Sequence, residues 1–267
     1  MISTIKQWLR ARFVREVTLI DEALWVLATA RYVFMGGLTA EENRRLRFIA
    51  STFLAQKHIT GAADFVVTEL MRVQIAAQAS ILVLELGAKL YAGWHEIIVY
   101  PGRFRPTREV MDEAGIVHTS DDALAGEAWL GGPVVLSYED VMGEVAGFNV
   151  VIHEFAHKLD MQNGDANGFP PLHKNMQRAQ WQQVFTAAYL DFCERVDAAD
   201  RRARRDGGVA LDALPIDPYA SENPAEFFAV MSEAFFELPR AVYETYPAVY
   251  GQLKAFYRQD PLNRIQH

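Results

Sequence analysis

The segment His153-Glu154-Phe155-Ala156-His157 constrains this chain more than any other part of its sequence. Residues four apart lie one above the other on an α-helix, so the two imidazoles can reach a single metal ion. The glutamate between them can accept a proton from a water molecule that the metal activates. Two histidines at this spacing favour zinc. We therefore predict a helical zinc site with His153 and His157 as ligands and Glu154 as the catalytic base.

A catalytic rather than a structural zinc site is indicated by the rest of the sequence. Closed structural sites usually contain cysteine ligands, whereas this chain has one cysteine, Cys193. A catalytic site needs three protein ligands and an open position, so a third ligand must come from outside the motif. It is not the downstream histidine of the metzincins, because the corresponding position holds Asn163.

Three acidic residues are candidates for a role beside the two histidines. Glu226 and Glu233 are seven residues apart in an apolar segment, so they lie on one face of a predicted helix. One can bind the metal while the other orients a ligand histidine. The position of Glu226 is equally explained by helix capping together with Asn223. Asp160, three residues after His157, fits a supporting role better than a ligand role, and spacing alone leaves the choice of ligand open.

The motif helix carries an apolar stripe, with the two histidines almost opposite it. The histidines are therefore predicted to lie away from the main core face. The residues of the stripe are Phe148, Val151, Ile152, Phe155 and Leu159.

The predicted fold is α+β: a single, mainly helical, zincin-like metallopeptidase domain spanning residues 1–267, with a small sheet beside the HExxH helix. Residues 1–92 form a helical part and residues 93–267 the catalytic part. Helical patterns cover residues 21–32, 39–56, 68–86 and 181–196, and another helix starts near Asn223. A turn is predicted around Gly61, and short strands at residues 96–100 and 134–138.

Charge and composition exclude several functional classes. With 26 basic and 34 acidic residues, the formal charge is −8, which disfavours a protein whose main role is nucleic-acid binding. The arginines in residues 201–208 are interpreted as a solvated, glycine-ended loop. The first ten residues lack the continuous apolar region of a secretory signal, and no segment has the length of a membrane helix. We expect a cytoplasmic protein that binds neither nucleic acid nor membrane.

Several segments together resemble the Mlc titration factor A (MtfA) family of zinc peptidases. The motif continues as Lys158-Leu159-Asp160, and Tyr219 stands seven residues before the Glu226-Phe227-Phe228 segment. Further similar segments are residues 94–102, 132–137 and 231–236. The resemblance spans nearly the whole chain, which makes it far more specific than HExxH alone.

This family is similar in turn to the catalytic domain of anthrax lethal factor. The resemblance implies a gluzincin that holds one Zn²⁺ per chain, with Glu226 as the third ligand. It further implies that Tyr219 is a catalytic residue that hydrogen-bonds the oxyanion, and that Glu233 and Asp160 support the ligands. The alternative for Tyr219 is an aromatic residue that packs at a helix entry.

The resemblance implies a peptidase that acts on short peptides with aminopeptidase-like activity. The peptide substrate is expected to lie along the strand at residues 134–138, taken as the edge of the sheet. The alternative function is a regulatory binding protein that sequesters an Mlc-like transcriptional repressor of sugar uptake, with or without peptidase activity. Zinc-dependent hydrolysis of a non-peptide bond also remains compatible with this ligand set.

Overall fold

The computed structural model describes residues 17–62, 64–104, 108–111, 117–120, 124–143, 145–206 and 214–265, with the backbone alone at 108–111, 117–120, 206 and 265. The first ten residues and the two glycines at 207–208, which figured in the sequence predictions, lie outside these ranges. The described chain is mostly helical with a small mixed sheet. This confirms the predicted α+β class.

The first four helices follow the patterns found in the sequence, except that the helix at residues 33–36 was not predicted and the helix predicted to reach residue 86 ends at residue 82. They are α1 (Glu22–Thr29), α2 (Val33–Gly36), α3 (Ala40–Gln56) and α4 (Glu69–Leu82). Helix α3 begins with the predicted capping box, in which Thr39 and Glu42 each accept a hydrogen bond from the backbone N–H of the other. Residues 73–82 of α4 are all buried, so this helix lies in the core.

The strands are β1 (His58–Gly61), β2 (Glu96–Tyr100), β3 (Arg108–Met111), β4 (Val117–Ser120), β5 (Gly126–Ala128) and β6 (Val134–Ser137). Four of them form one sheet in the order β1-β2-β6-β5, in which only β5 runs antiparallel to its neighbour. Strands β3 and β4 form a separate antiparallel pair. The prediction of β2 is confirmed, as is that of β6 apart from its last residue.

One prediction about the sheet is wrong. Strand β1 was not predicted, because its four residues contain one buried apolar side chain, Ile59. The turn predicted around Gly61 follows this strand directly, where the N–H of Phe65 donates to the carbonyl oxygen of Ala62. Strand β6 is not an edge, because β2 pairs with one side of it and β5 with the other. All four of its residues are buried. Within the described residues, the edge beside the motif helix is β5.

The remaining helices are α5 (Tyr138–Val141), α6 (Val150–Asp160), α7 (Arg178–Asp206), α8 (Pro224–Glu237), α9 (Pro239–Thr245), α10 (Pro247–Tyr257) and α11 (Pro261–Ile265). The predicted helix at 181–196 extends through the arginines up to residue 206, so the prediction of a loop there is wrong over 201–206. An i, i+4 ion pair between Asp200 and Arg204 supports the helical conformation. Helix α8 starts after Asn223, as predicted.

Helix α6, which carries the motif, lies in the interior of the described structure. It packs against α8, α4 and β5, and all eleven of its residues are buried. The ring of Phe155 lies 5.1–5.7 Å from those of Phe53, Tyr91 and Trp94. The histidines lie on the face opposite the apolar stripe, as predicted, and line a cleft there, while packing of α8 and β5 around that face leaves them buried. No helix of the described residues is both long and apolar enough to cross a membrane.

Candidate metal centre

Asn149 fixes the start of the motif helix. Its side-chain oxygen accepts a hydrogen bond from the backbone N–H of Ile152, which is the usual role of an N-cap asparagine. Its side-chain amide donates to Gln78 on α4 and to Glu237 on α8. The cap thus ties α6 to both neighbouring helices, which fixes the rotation of the helix and the direction of its histidines.

Three potential ligand atoms converge where α6 meets α8. The Nε2 atoms of His153 and His157 are 3.1 Å apart, and they lie 2.9 and 3.2 Å from Oε2 of Glu226. The three side chains form a candidate metal-binding group in the described structure. Two imidazoles and one carboxylate are the donor set that a catalytic zinc ion takes. The residues present therefore fit the ion that the sequence motif implies.

The carboxylates around His153 control its protonation. Burial alone would lower the pKa of His153, but Glu233 and Glu226 outweigh it and hold that pKa well above its usual value. Burial would raise the pKa of Glu226, but hydrogen bonds from the two histidines hold it well below its usual range. These pKa shifts indicate that the carboxylates stabilise a positive charge beside them. A divalent cation held by His153, His157 and Glu226 would supply such a charge.

Glu233 orients His153 from the side away from Glu226. Its Oε1 accepts a hydrogen bond from Nδ1 of His153 at 2.7 Å, and its Oε2 accepts one from the backbone N–H of Asn149. Its side chain is buried, and this burial raises its pKa. Such a contact leaves Nε2 of His153 as the atom that faces the candidate metal position.

Asp160 is fully buried at the end of α6, where it holds the following loop. Its Oδ2 accepts hydrogen bonds from the backbone N–H groups of Asn167 and Gly168 at 2.7 and 2.6 Å. Gly168 has a φ of +77° and approaches α8 so closely that a Cβ atom would lie 2.3 Å from the carbonyl oxygen of Pro224. Asp160 therefore stabilises the loop that packs against the start of the Glu226 helix.

Two buried side-chain atoms in the last turn of α6 are left without hydrogen-bond partners among the described residues. They are Nδ1 of His157 and Oδ1 of Asp160. Buried polar atoms of this kind call for an explanation. A metal ion on Nε2 of His157 would place the ring proton on Nδ1.

Glu154 lies at the bottom of a cleft of about 600 Å³. Its side chain is buried, and this burial raises its pKa to about 8. Strand β5 forms one wall of the cleft, and a Cβ atom at Gly126 would lie 2.5 Å from Oε1 of Glu154. A second chamber of about 440 Å³ shares His153, Glu154 and Gly126 with the first. Space is therefore open on two sides of Glu154, and glycine lets the strand approach it.

Tyr219 stands at the boundary of the two chambers. Its ring centroid is 6.0 Å from that of His153, and the residue is 47% exposed. The side chain of Asp217 accepts a hydrogen bond from its backbone N–H, which fixes the short helix Pro218–Ser221. Burial together with nearby carboxylates raises the pKa of Tyr219 to about 12. The tyrosine keeps its proton and can donate a hydrogen bond into the cleft.

The structure thus brings together six of the seven residues singled out in the sequence, while Asp160 lies one turn further along α6. Gly126, which abuts Glu154, was not predicted from the sequence. No local pattern marks this glycine, because the need for a residue without a side chain comes from contact with α6, about 25 residues later in the chain. Glu127, a buried carboxylate in the wall of the cleft, was not predicted either.

Comparison with known proteins gives consistent matches over most of the chain. The model of the family "Glucose-regulated metallo-peptidase M90" matches residues 5–258. A protein named Mlc titration factor A from Yersinia enterocolitica is 38% identical over 232 residues, which cover 86% of this chain and 83% of that protein. Proteins of the same name from Yersinia pestis and Yersinia pseudotuberculosis are also 38% identical over 232 residues, covering 86% of this chain and 82% of theirs.

Proposed function

Because this chain belongs to the family of glucose-regulated metallo-peptidases M90, we propose that it is a zinc-dependent peptidase whose metal ligands are His153, His157 and Glu226. The observation that carries the proposal is the convergence of one donor atom from each residue within 3.2 Å of the others. The supporting residues are Glu233, which orients His153, and Asp160, which holds the loop that packs against the start of the Glu226 helix.

The roles of the residues around the ligands follow from their positions. The chemistry that a zinc ion supplies when bound at such a site is activation of a water molecule and polarisation of the substrate carbonyl. Glu154 accepts the proton of the attacking water and passes it to the departing amine. The hydroxyl of Tyr219 donates a hydrogen bond to the oxygen of the scissile carbonyl as negative charge develops on it.

The substrate is an extended peptide that lies along β5. This strand has an unpaired edge within the described structure, and it lines the cleft beside Glu154. An extended peptide can pair with such an edge through its backbone. The binding mode is therefore the one predicted from the sequence, but the strand is β5 instead of β6, because β6 is enclosed between β2 and β5.

Short peptides with a free amino end suit the charge of the cleft. The carboxylates of Glu127, Glu154 and Glu226 line it, and none of its described lining residues is a lysine or an arginine. Without a basic side chain among the described lining residues, the cleft does not repel a substrate that brings an α-ammonium group. The aminopeptidase-like activity is therefore retained as part of the proposal.

Removal of the metal tests the proposed function. We expect hydrolysis of unblocked peptides of two to six residues to stop after treatment with a chelator, and to return with about one equivalent of zinc. Acetylating the amino ends of the same peptides should slow hydrolysis at least tenfold if the free amine is recognised. Activity that persists without metal would refute the zinc mechanism, and equal cleavage of both peptide series would refute only the aminopeptidase character.

Replacing Gly126 with alanine should impair hydrolysis without loss of zinc. The new Cβ atom would lie 2.5 Å from Oε1 of Glu154 and 2.7 Å from Cγ2 of Val150, so the strand and the catalytic base must move apart. We expect kcat/KM to fall about 10–100-fold, because misplacement by about 1 Å is costly in catalysis. Gly251→Ala is the control, since a Cβ at this helical glycine meets nothing within 4 Å. Equal activity of the two variants would contradict the placement of β5.

A binding role is the second candidate function, and the names of the relatives favour it. Three proteins that are 38% identical to this chain are named for titrating Mlc. In this alternative the chain sequesters an Mlc-like transcriptional repressor, acts in the cytoplasm where such a repressor works, and need not use the metal centre. Binding of purified Mlc by this chain, measured by calorimetry with the metal present and removed, tests the alternative directly.

A further inference from the structure

A buried lysine follows the second histidine of the motif. Lys158 is 2% exposed, although lysine is rarely buried unless it is paired. Its Nζ donates hydrogen bonds to the backbone carbonyl oxygens of Trp129 and Gly132 at 2.6 and 2.8 Å. It also lies 4.6 Å from the ring centroid of Trp94. The proposed mechanism gives this residue no role.

The two carbonyl groups belong to the turn that joins β5 to β6. The N–H of Gly132 donates to the carbonyl oxygen of Trp129, and the N–H of Trp129 donates to that of Pro133. Gly131 has a φ of +65°, which supplies the left-handed residue that the turn needs. Lys158 thus bonds to both ends of a tight turn whose conformation the backbone already fixes. It therefore links α6 to the turn between β5 and β6.

This link sets the position of β5 relative to the catalytic residues. Strand β5 ends at Ala128, immediately before the turn, and begins at Gly126, which abuts Glu154. One end of the strand is therefore placed by contact with Glu154, and the other end by the hydrogen bonds from Lys158. Both contacts originate on α6, only four residues apart.

We propose that Lys158 is a positioning residue that holds β5 at a fixed distance from the candidate metal centre, so that a peptide paired with β5 presents its scissile carbonyl there. The proposal rests on the proposed function for its effect on catalysis, but the link itself can be tested without a substrate. Because the link already orders the edge of β5 before the peptide binds, binding carries no entropy cost for ordering that edge. The link therefore acts mainly on substrate affinity.

The chain contains a matched control in Lys57. This lysine is also buried, its Nζ also donates to two backbone carbonyls, and it also lies against the ring of Trp94, at 3.6 Å. Burial lowers the pKa of both lysines to about 8. The acceptors of Lys57 are the carbonyls of Tyr91 and Trp94, which precede β2 and do not line the described cleft.

The experiment compares Lys158→Met with Lys57→Met in the full chain with zinc. Amide hydrogen exchange over residues 125–133 should quicken at least tenfold in the first variant and remain within threefold of wild type in the second. For unblocked peptides of two to six residues, Lys158→Met should raise KM about tenfold with kcat within threefold and zinc content unchanged. Lys57→Met should leave KM within threefold, although both variants lose thermal stability.

The outcomes that overturn the proposal are distinct from those that refute the peptidase. Unchanged exchange at 125–133 in Lys158→Met, or an equal rise of KM in both variants, overturns the role of Lys158. Absence of hydrolysis by wild type refutes the proposed function, and the exchange experiment still decides whether Lys158 holds β5. Lys158→Arg keeps two N–H donors and should retain exchange protection, and its failure to do so contradicts the link. If Lys158→Met does not fold, Lys158→Gln takes its place under the same criteria.

Discussion

Replacing Glu154 with glutamine should reduce peptide hydrolysis by about 10³-fold while zinc remains bound. The change keeps the size of the side chain and removes its ability to accept a proton, and general base catalysis contributes about 10²–10⁴-fold to such reactions. Glu154 is none of the three converging donors, so metal affinity should stay within about threefold of wild type. The measurement is kcat on unblocked peptides together with the zinc content of the same preparation.

The same variant separates the two proposed functions. If the chain also binds an Mlc-like repressor through a surface other than the metal centre, Glu154→Gln should bind the repressor as well as wild type does. Glu222→Gln is a suitable control, since this exposed carboxylate lies four residues before Glu226, in the segment that leads into α8. Full hydrolytic activity in Glu154→Gln would contradict the role of Glu154, whatever the result for repressor binding.

Replacing Glu226 with glutamine should weaken zinc binding by more than about 100-fold. The amide carries no negative charge for the cation, and even residues that merely support ligands change metal affinity by about 10–100-fold when they are replaced. The change also removes the carboxylate that lies between the two histidine rings. The rise in thermal stability on adding zinc, which reflects binding to the folded state, should largely disappear.

Two comparisons make the Glu226 result specific. Glu222→Gln should keep the wild-type zinc affinity and the wild-type rise in melting temperature. Glu233→Gln should fall between the two, because it removes a charged acceptor from Nδ1 of His153 but no converging donor atom. A Glu226→Gln variant that binds zinc as tightly as wild type would show that the third ligand lies elsewhere.

The parts of the fold that the sequence predicts are those decided by neighbouring residues. The capping box at Thr39, the N-cap at Asn223 and the apolar strand β2 each carry a local pattern, and the structure has them at the predicted positions. Strand β1 and the edge strand β5 were missed because each has too few alternating apolar residues to be recognised. Their conformation comes from pairing with β2 and β6, which are distant in the chain.

The residues of the candidate site also differ in whether a local sequence pattern predicts them. The histidines and Glu154 are predictable because a four-residue spacing places them on one helix face. Spacing could not settle the choice between Glu226 and Glu233, and the family resemblance strengthened the case for Glu226. In the structure Glu226 contacts the Nε2 atoms of both histidines, whereas Glu233 contacts Nδ1 of His153.

Lys158 and Gly126 could not be predicted from the sequence alone. The importance of each depends on an approach between α6 and the β5–β6 hairpin, and no local pattern records that approach. The similarity to anthrax lethal factor and the role of Tyr219 stay predictions. A Tyr219→Phe variant can be assayed beside the other variants, with a loss of kcat expected from the missing hydrogen bond.

X-ray absorption at the zinc edge of the purified protein reports the ligands of the metal themselves. We expect about one zinc per chain, coordinated by two imidazoles and further nitrogen or oxygen ligands at about 2.0–2.2 Å, with no sulfur. Glu226→Gln should lose this signal, and Glu222→Gln should keep it. A sulfur ligand, fewer than two imidazoles, or no stoichiometric zinc in the wild type would contradict a centre built from His153, His157 and Glu226.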